Sequence, residues 1–305
     1  MNARFDATVI ATYGRRASVR LDDGGVCDVR LFGRRLAVVC GDRVACETDP
    51  RTGEIHLTAA LPRRTALYRS NLKGAAEPVV ANLDQLLVAV APRPSADWFV
   101  VDRYLSAAAS ASLHACLVLN KTDLPIDAEL SRELANYAAC GYALLTCSAR
   151  SGDGMQAIFA ACAGFRSVLV GQSGTGKSSL LARLIPDSGA VSGELIRDDE
   201  GRHTTTTSRM YAIATGGELI DSPGVRDFAP ALDHLEPSTL GFVEIARLAG
   251  QCRFQDCRHM REPGCAVRSA EATGGAISAR RYESYRRLRN LVGQLEEARG
   301  PKRRS

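Results

Sequence analysis

Over residues 1–65, apolar and polar positions alternate with the period of two that marks half-buried strands. Ala17, Val19 and Leu21 alternate with Ser18 and Arg20, and Val29 and Leu31 resume the pattern beyond Asp22-Asp23-Gly24-Gly25, a hairpin turn signal. The run Leu36 to Val39, ending at Gly41-Asp42, predicts a further strand, and Arg43 to Glu47 predicts another. Four or five short strands in this length suggest a small closed barrel. An OB-fold fits, and an SH3-like barrel fits nearly as well.

From residue 66 to 231 the pattern changes. Leu83 to Ala91, Ala115 to Leu119 and Ser167 to Val170 are continuous apolar runs, and Leu219-Ile220 ends a fourth. Ala-rich stretches of helical character, such as Val101 to Leu113, lie between them. Buried strands alternating with helices predict a doubly wound α/β sheet. Residues 232–305 read as helical. Tyr282, Tyr285, Leu288, Leu291, Val292 and Leu295 recur at three- and four-residue steps, with Arg280, Arg281, Arg286, Arg287 and Arg289 between them. This predicts an amphipathic basic helix whose aromatic stripe packs rather than stacks on bases. The expectation is an α/β multidomain chain: an N-terminal barrel at 1–65, an α/β domain at 66–231 and a helical domain at 232–305.

Composition changes this picture little. The 305 residues are 45% hydrophobic and 24% charged, as in ordinary globular proteins. The start, Met1 to Asp6, has no signal-peptide core, and no apolar run approaches bilayer length, so a cytoplasmic protein with no membrane partner is expected. Seven scattered cysteines (Cys27, Cys40, Cys46, Cys116, Cys140, Cys147, Cys162) read as small core fillers. The net charge of +5 is uneven. Residues 1–65 hold eleven basic against eight acidic side chains and residues 277–305 nine against three, while 66–231 is slightly acidic. A polyanion would be drawn to the two ends.

Gly171-Gln172-Ser173-Gly174-Thr175-Gly176-Lys177-Ser178 is a complete phosphate-loop pattern between an apolar strand and the helix-like run from Ser179. Its glycines let backbone N–H groups face a β-phosphate, Lys177 bridges the β- and γ-phosphates, and Ser178 holds Mg²⁺. Asn120-Lys121-Thr122-Asp123 follows another strand. The Asp123 carboxylate can accept two hydrogen bonds from guanine that adenine does not offer. Asn120 braces neighbouring loops, the Lys121 stem covers the base, and Ser148-Ala149 supplies a backbone N–H to the guanine oxygen. Asp221-Ser222-Pro223-Gly224 places Asp221 near Mg²⁺ and the Gly224 N–H near the γ-phosphate. The first switch falls at His203-Thr204-Thr205-Thr206-Thr207, with Thr205 the favoured magnesium ligand. In ordinary GTPases the phosphate loop comes first; here the guanine motif does, a circularly permuted order. Val225 stands where Ras-like enzymes carry their water-positioning glutamine, which leaves His203 as the candidate water-orienting group.

Cys252, Cys257, His259 and Cys265 form C-x4-C-x-H-x5-C, a full tetrahedral set that predicts one structural zinc ion.

Taken with Gly201 to Thr206, Cys252-Arg253-Phe254-Gln255-Asp256-Cys257 and Glu262 to Val267, these motifs resemble the ribosome small-subunit-dependent GTPase A family from about Leu83 onward. The first 65 residues fit that family's OB-fold. The resemblance implies a GTP hydrolase of late small-subunit maturation, stimulated by the subunit and released from it on hydrolysis. It also implies that the barrel and zinc domain grip rRNA. A monomer is expected. Two alternatives stay open on the residues alone. One is a GTPase switch for a protein or membrane partner without RNA binding. The other is a zinc-stabilised RNA-binding module with a merely structural nucleotide site.

Overall fold

The computed structural model describes residues 4–14, 16–31, 37–71, 75–185, 207–226 and 229–299. The first five strands are β1 (Arg4–Tyr13), β2 (Arg16–Leu21), β3 (Val26–Leu31), β4 (Arg43–Thr48) and β5 (Ile55–Ala60). They run in the order β1-β2-β3-β5-β4, and β4 closes on β1 through pairs from Arg4↔Glu47 to Thr8↔Arg43. All the pairings are antiparallel except β3 with β5. This closed order is the OB-fold, the first of the two barrels the alternation allowed. The turn at Asp23-Gly24 is as read: Gly24 has φ +89°, the Leu21 N–H donates to Gly25 O at 2.8 Å, and the Gly25 N–H donates to Asp23 Oδ1.

Two expectations here need correction. Ala37 to Val39 lie outside any strand, and Leu36 is outside the described residues. This stretch is shaped by a polar contact rather than a ladder: Asp42 Oδ2 accepts from the Val39 N–H, and Arg63 bonds both Asp42 oxygens. The ten-residue β1 was not anticipated. Its Ala7 and Val9 face the barrel core, whereas Ile10 faces the neighbouring α/β core, so both faces are buried and simple alternation fails.

A hairpin of β6 (Ala66–Ser70) and β7 (Ala76–Ala81) leads into β8 (Gln85–Val90), α1 (Trp98–Ser110), β9 (His114–Leu119), α2 (Ala128–Ala139), β10 (Ala143–Thr146), α3 (Met155–Cys162), β11 (Arg166–Gly171) and α4 (Lys177–Leu184). β12 (Ser208–Ala212), β13 (Glu218–Asp221) and the short α5 (Pro223–Arg226) follow. The sheet order is β10-β9-β8-β11-β13-β12, parallel except for the edge strand β12. Burial is two-sided: Leu86, Val88 and Val90 of β8 enter one cluster, and Leu87 and Ala89 enter the other. α1 and α2 cover the first face, and α3 and α4 cover the second. This is the doubly wound sheet expected. Its register brings Gly171 beside Ala89, Val90 beside Leu119, and Leu119 beside Thr146, so four strands end together. Every loop that follows them meets at one edge, where open α/β sheets bind ligands.

Barrel and sheet are continuous. β12 pairs with β1 at Ala11↔Arg209 and Thr12↔Ser208. Glu218 of β13 pairs with Arg20 of the barrel and, at 2.8 Å, with Arg166.

The C-terminal part holds a 3-10 turn (Leu232–His234), α6 (Val243–Ala249), α7 (Ala266–Ala272) and α8 (Ala279–Arg299). On α8 the predicted stripe packs: Tyr282, Tyr285, Leu288 and Val292 join the same cluster as α1 and α2. The basic face differs from expectation. Arg281 is 1% exposed, with its guanidinium bonded to Glu244 of α6 at 2.7 and 2.8 Å and to Asp102 of α1. Arg280 pairs with Asp102 at 2.8 Å and with Glu133 of α2. Helical periodicity gives a residue's face but not the charge of the surface it meets, and here that surface is acidic.

Candidate nucleotide and metal sites

The guanine motif starts where β9 leaves the sheet. The Asn120 N–H donates to Val90 O at 2.9 Å, and Lys121 adopts φ +62°. Asn120 is buried, and its two side-chain groups join separate loops. Nδ2 donates to Thr175 O in the phosphate loop at 3.0 Å, and Oδ1 accepts from the Ala149 N–H at 3.0 Å. Lys121 Nζ donates to Gly174 O at 2.6 Å and Arg93 O at 2.9 Å. The Ser148 hydroxyl donates to Asp123 Oδ1 at 2.7 Å and, as the leading cause, holds that carboxyl below its usual range, so Asp123 is an anion at neutral pH.

Two glycines are required by contact as well as by backbone. A Cβ on Gly176 (φ +88°) would lie 2.3 Å from Asn120 Nδ2, and one on Gly171 would lie 2.4 Å from Ala89 O. Lys177 opens α4, and its Nζ donates to Gly171 O at 2.5 Å and Gln172 O at 3.0 Å. Ser178 and Ser179 are exposed on the first turn, while Thr175 is buried with its hydroxyl on Gln172 O. Between the guanine motif and this helix lies a cavity of about 660 Å³, lined by Asn120, Lys121, Asp123, Ala149, Gly176 and Ser179 among others. Residues from segments far apart in the chain thus share one pocket.

Asp221 ends β13 on the far side of β11, and Ser222 shares a 2.7 Å hydroxyl contact with Ser208 at the start of β12. Gly224 packs on the β6–β7 hairpin so closely that a Cβ would be 2.5 Å from Val79 Cγ1. Val225 is buried. His203 and Thr205 lie outside the described residues.

Some site residues carried no motif. Arg93 and Pro94 lead into α1; the Arg93 carbonyl accepts from Lys121 Nζ, and Pro94 occupies the space a side chain on Gly174 would need. Gln172 Oε1 accepts from the N–H of Asp97, the residue whose carboxylate caps α1 through Phe99 and Val100. Arg183 of α4 reaches the Ala149 and Arg150 carbonyls. The Asp before an apolar helical run was a legible capping signal; the other contacts were not legible.

Cys252, Cys257, His259 and Cys265 place their ligand atoms within 4.8 Å of one another. Cys252 Sγ and Cys265 Sγ are 3.9 Å apart, and each lies 3.5 Å from His259 Nδ1. Tetrahedral zinc with thiolate and imidazole ligands requires edges of about 3.8 and about 3.5 Å, so the cluster fits a metal ion of that kind. Tyr282 and Tyr285 of α8 donate their hydroxyls to the carbonyls of His259 (2.7 Å) and Arg258 (2.8 Å), which fixes the loop that carries the ligands.

A profile of the RsgA GTPase family matches residues 60–230. The chain is 43% identical over 290 residues to the small ribosomal subunit biogenesis GTPase RsgA of Azotobacter vinelandii, covering 92% of this chain and 83% of that protein. It is also 43% identical over 299 residues to the RsgA of Pseudomonas putida, covering 95% and 85%. The crystal structure of YjeQ from Thermotoga maritima superposes with a TM-score of 0.70 at 28% identity, covering 98% of this chain and all of that one. YloQ, described as a circularly permuted GTPase, gives 0.69 at 22% identity and supports the fold. With its permuted motif order, the pocket its nucleotide motifs share and these relatives, the chain belongs to the RsgA GTPase family.

Proposed function

We propose that this GTPase acts in late maturation of the small ribosomal subunit, that the subunit stimulates its hydrolysis of GTP, and that hydrolysis releases it. The observation that carries the nucleotide reading is the union of Asn120, Lys121 and Asp123 with the phosphate loop around one pocket. The small subunit is named for the RsgA relatives, and it is the partner assigned here.

Asp123 would accept the guanine ring N–H and amino group, and the Lys121 stem would cover the base. The amides of residues 171–178 and the Lys177 ammonium would hold the phosphates. Mg²⁺ bound with GTP would neutralise charge on the β- and γ-oxygens, with Ser178, Asp221 and Thr205 as its holders. The Gly224 N–H would meet the γ-phosphate, at a position where a side chain would run into Val79. A buried Val225 offers no polar group to a water molecule, so His203 is assigned that orienting role, with the subunit setting its position.

The zinc loop is the face assigned to rRNA. Arg253, Arg258, Arg261 and Arg268 are exposed, and Arg253 lies 5.5 Å over the exposed Phe254 ring. By contrast, α8 uses Arg280 and Arg281 internally, and its Arg289 bonds Pro237 O and Ser238 O. One zinc ion would hold this loop. Our reading is of a cytoplasmic monomer, as expected for a factor that works on the ribosomal subunit; no helix among the described residues is long and apolar enough to cross a membrane.

The test is GTP turnover with purified small or large subunits as alternative activators. Stimulation by the small subunit alone, declining steeply with salt, is expected. Equal rates with both, or with neither, would refute the assignment.

A further inference from the structure

Arg183 stands on the same face of α4 as Ser179, four residues earlier, and that face lines the pocket, while Leu180 and Leu184 are buried on the other. Its guanidinium makes a forked contact: Nε donates to Ala149 O at 2.9 Å and Nη2 to Arg150 O at 3.0 Å. The helix that begins at the phosphates thereby grips the loop beside Asp123. No pattern in the sequence marks this residue.

The loop's amides show what the grip achieves. The Ser148 N–H donates to Asp153 O, the Ala149 N–H to Asn120 Oδ1, the Ser151 N–H to Ser148 Oγ and the Gly152 N–H to Ser148 O. Among the described residues, the Arg150 N–H alone in this stretch has no acceptor. That N–H belongs to the same peptide group as Ala149 O. A peptide group is planar and trans, so fixing its oxygen on Arg183 fixes the direction of its N–H on the opposite side. Through Ser148, the loop is also tied to Asp123. When Asp123 accepts the guanine ring N–H, the neighbouring carbonyl oxygen O6 would come next to this loop.

We propose that Arg183 is a positioning residue for guanine. It holds the Ala149–Arg150 peptide so that the Arg150 N–H, rather than the Ala149 N–H already bonded to Asn120, donates to O6. This rests on the reading of Asp123 as the guanine-selecting carboxylate, and it adds a second, Arg183-dependent determinant to that reading.

The test is calorimetric titration of the full chain with GDP and with 6-thioguanosine diphosphate, which keeps the N1–H and 2-amino edge read by Asp123 but replaces O6 by sulfur, a weak acceptor. Arg183→Met keeps the aliphatic stem and removes both bonds. It should weaken GDP by about 10-fold while leaving the 6-thio nucleotide, whose sulfur accepts poorly, within about two-fold. Arg183→Lys, with a single point donor, should fall between. Equal weakening of both nucleotides, or of neither, overturns the assignment, because a merely structural or phosphate-side role would not depend on O6. In parallel, Asp123→Asn should exchange preference for GDP against xanthosine diphosphate. If that exchange fails, the guanine reading is wrong. If it occurs while Arg183→Met shows no O6-dependent loss, only the role of Arg183 is wrong.

Discussion

Asn120 is the residue on which the pocket's assembly turns, because its one buried amide joins the phosphate loop to the loop after β10. The neighbouring Gly176 is held to glycine by that amide, not by its dihedral alone. Gly176→Ala should therefore overpack this contact at about 1–3 kcal/mol. The expected result is nucleotide affinity lowered by roughly ten- to one-hundred-fold in titration, with the free protein's circular dichroism unchanged. Glu236 gives a pH test at the same scale. Burial pushes its carboxyl up, but hydrogen bonds from the Thr239 and Ser238 hydroxyls and amides outweigh this and hold it down to about 2. A depressed carboxyl stabilises the fold above its unfolded value of about 4.3 and loses that contribution as pH falls through about 2. The difference in urea midpoint between the wild type and Glu236→Gln should accordingly shrink between pH 6 and pH 2. A difference that stays constant over that range would mean the carboxylate's charge is not what matters.

Among elements, α8 shows how a sequence pattern can be right about shape and wrong about charge. Its stripe of Tyr282, Tyr285 and Leu288 packs as the spacing required, yet Arg281, which reads as a solvated cation, is enclosed by Asp102 and Glu244. Period and polarity are local properties, whereas the acids that neutralise Arg281 come from α1 and α6, 179 and 37 residues away. Arg281→Met should leave the buried Glu244 carboxylate uncompensated and Asp102 with Arg280 as its remaining cation, and cost about 3–5 kcal/mol, measured as a lowered thermal midpoint. The double variant Arg281→Met/Glu244→Gln should recover part of the loss. The loop that carries the Cys/His cluster is an element of another kind, short and polar, and the proposed zinc would tie it together. Treatment with a chelator should release one zinc per chain. It should also loosen the Tyr282 and Tyr285 contacts, read as a fall in hydrogen-exchange protection over residues 252–272.

Across the whole molecule, the barrel, the α/β sheet and the C-terminal helices are joined by three different interactions: a strand pair between β1 and β12, an ionic hub at Glu218, and a shared apolar core with buried ion pairs. The β1–β12 pair begins at Ser208, directly after the stretch read as the first switch. A barrel attached there should respond to the nucleotide. Hydrogen exchange at β1 amides is expected to differ between GDP and a non-hydrolysable GTP analogue, and identical exchange would separate the barrel from the switch.

Legible in the residues alone were the succession of barrel, doubly wound sheet and helical part, the permuted order of the nucleotide motifs and the four members of the Cys/His cluster. Each of these rests on residue types at fixed spacing, and spacing is a property of the chain. Spacing left the OB and SH3-like barrels unresolved, because alternation reports which face is buried and not which strand is the neighbour. Packing alone settles that β1 is buried on both faces, that Arg281 is interior, and that Arg183 grips the loop beside Asp123. Those are meetings between residues distant in sequence, and a local pattern carries no information about the surface a side chain will meet.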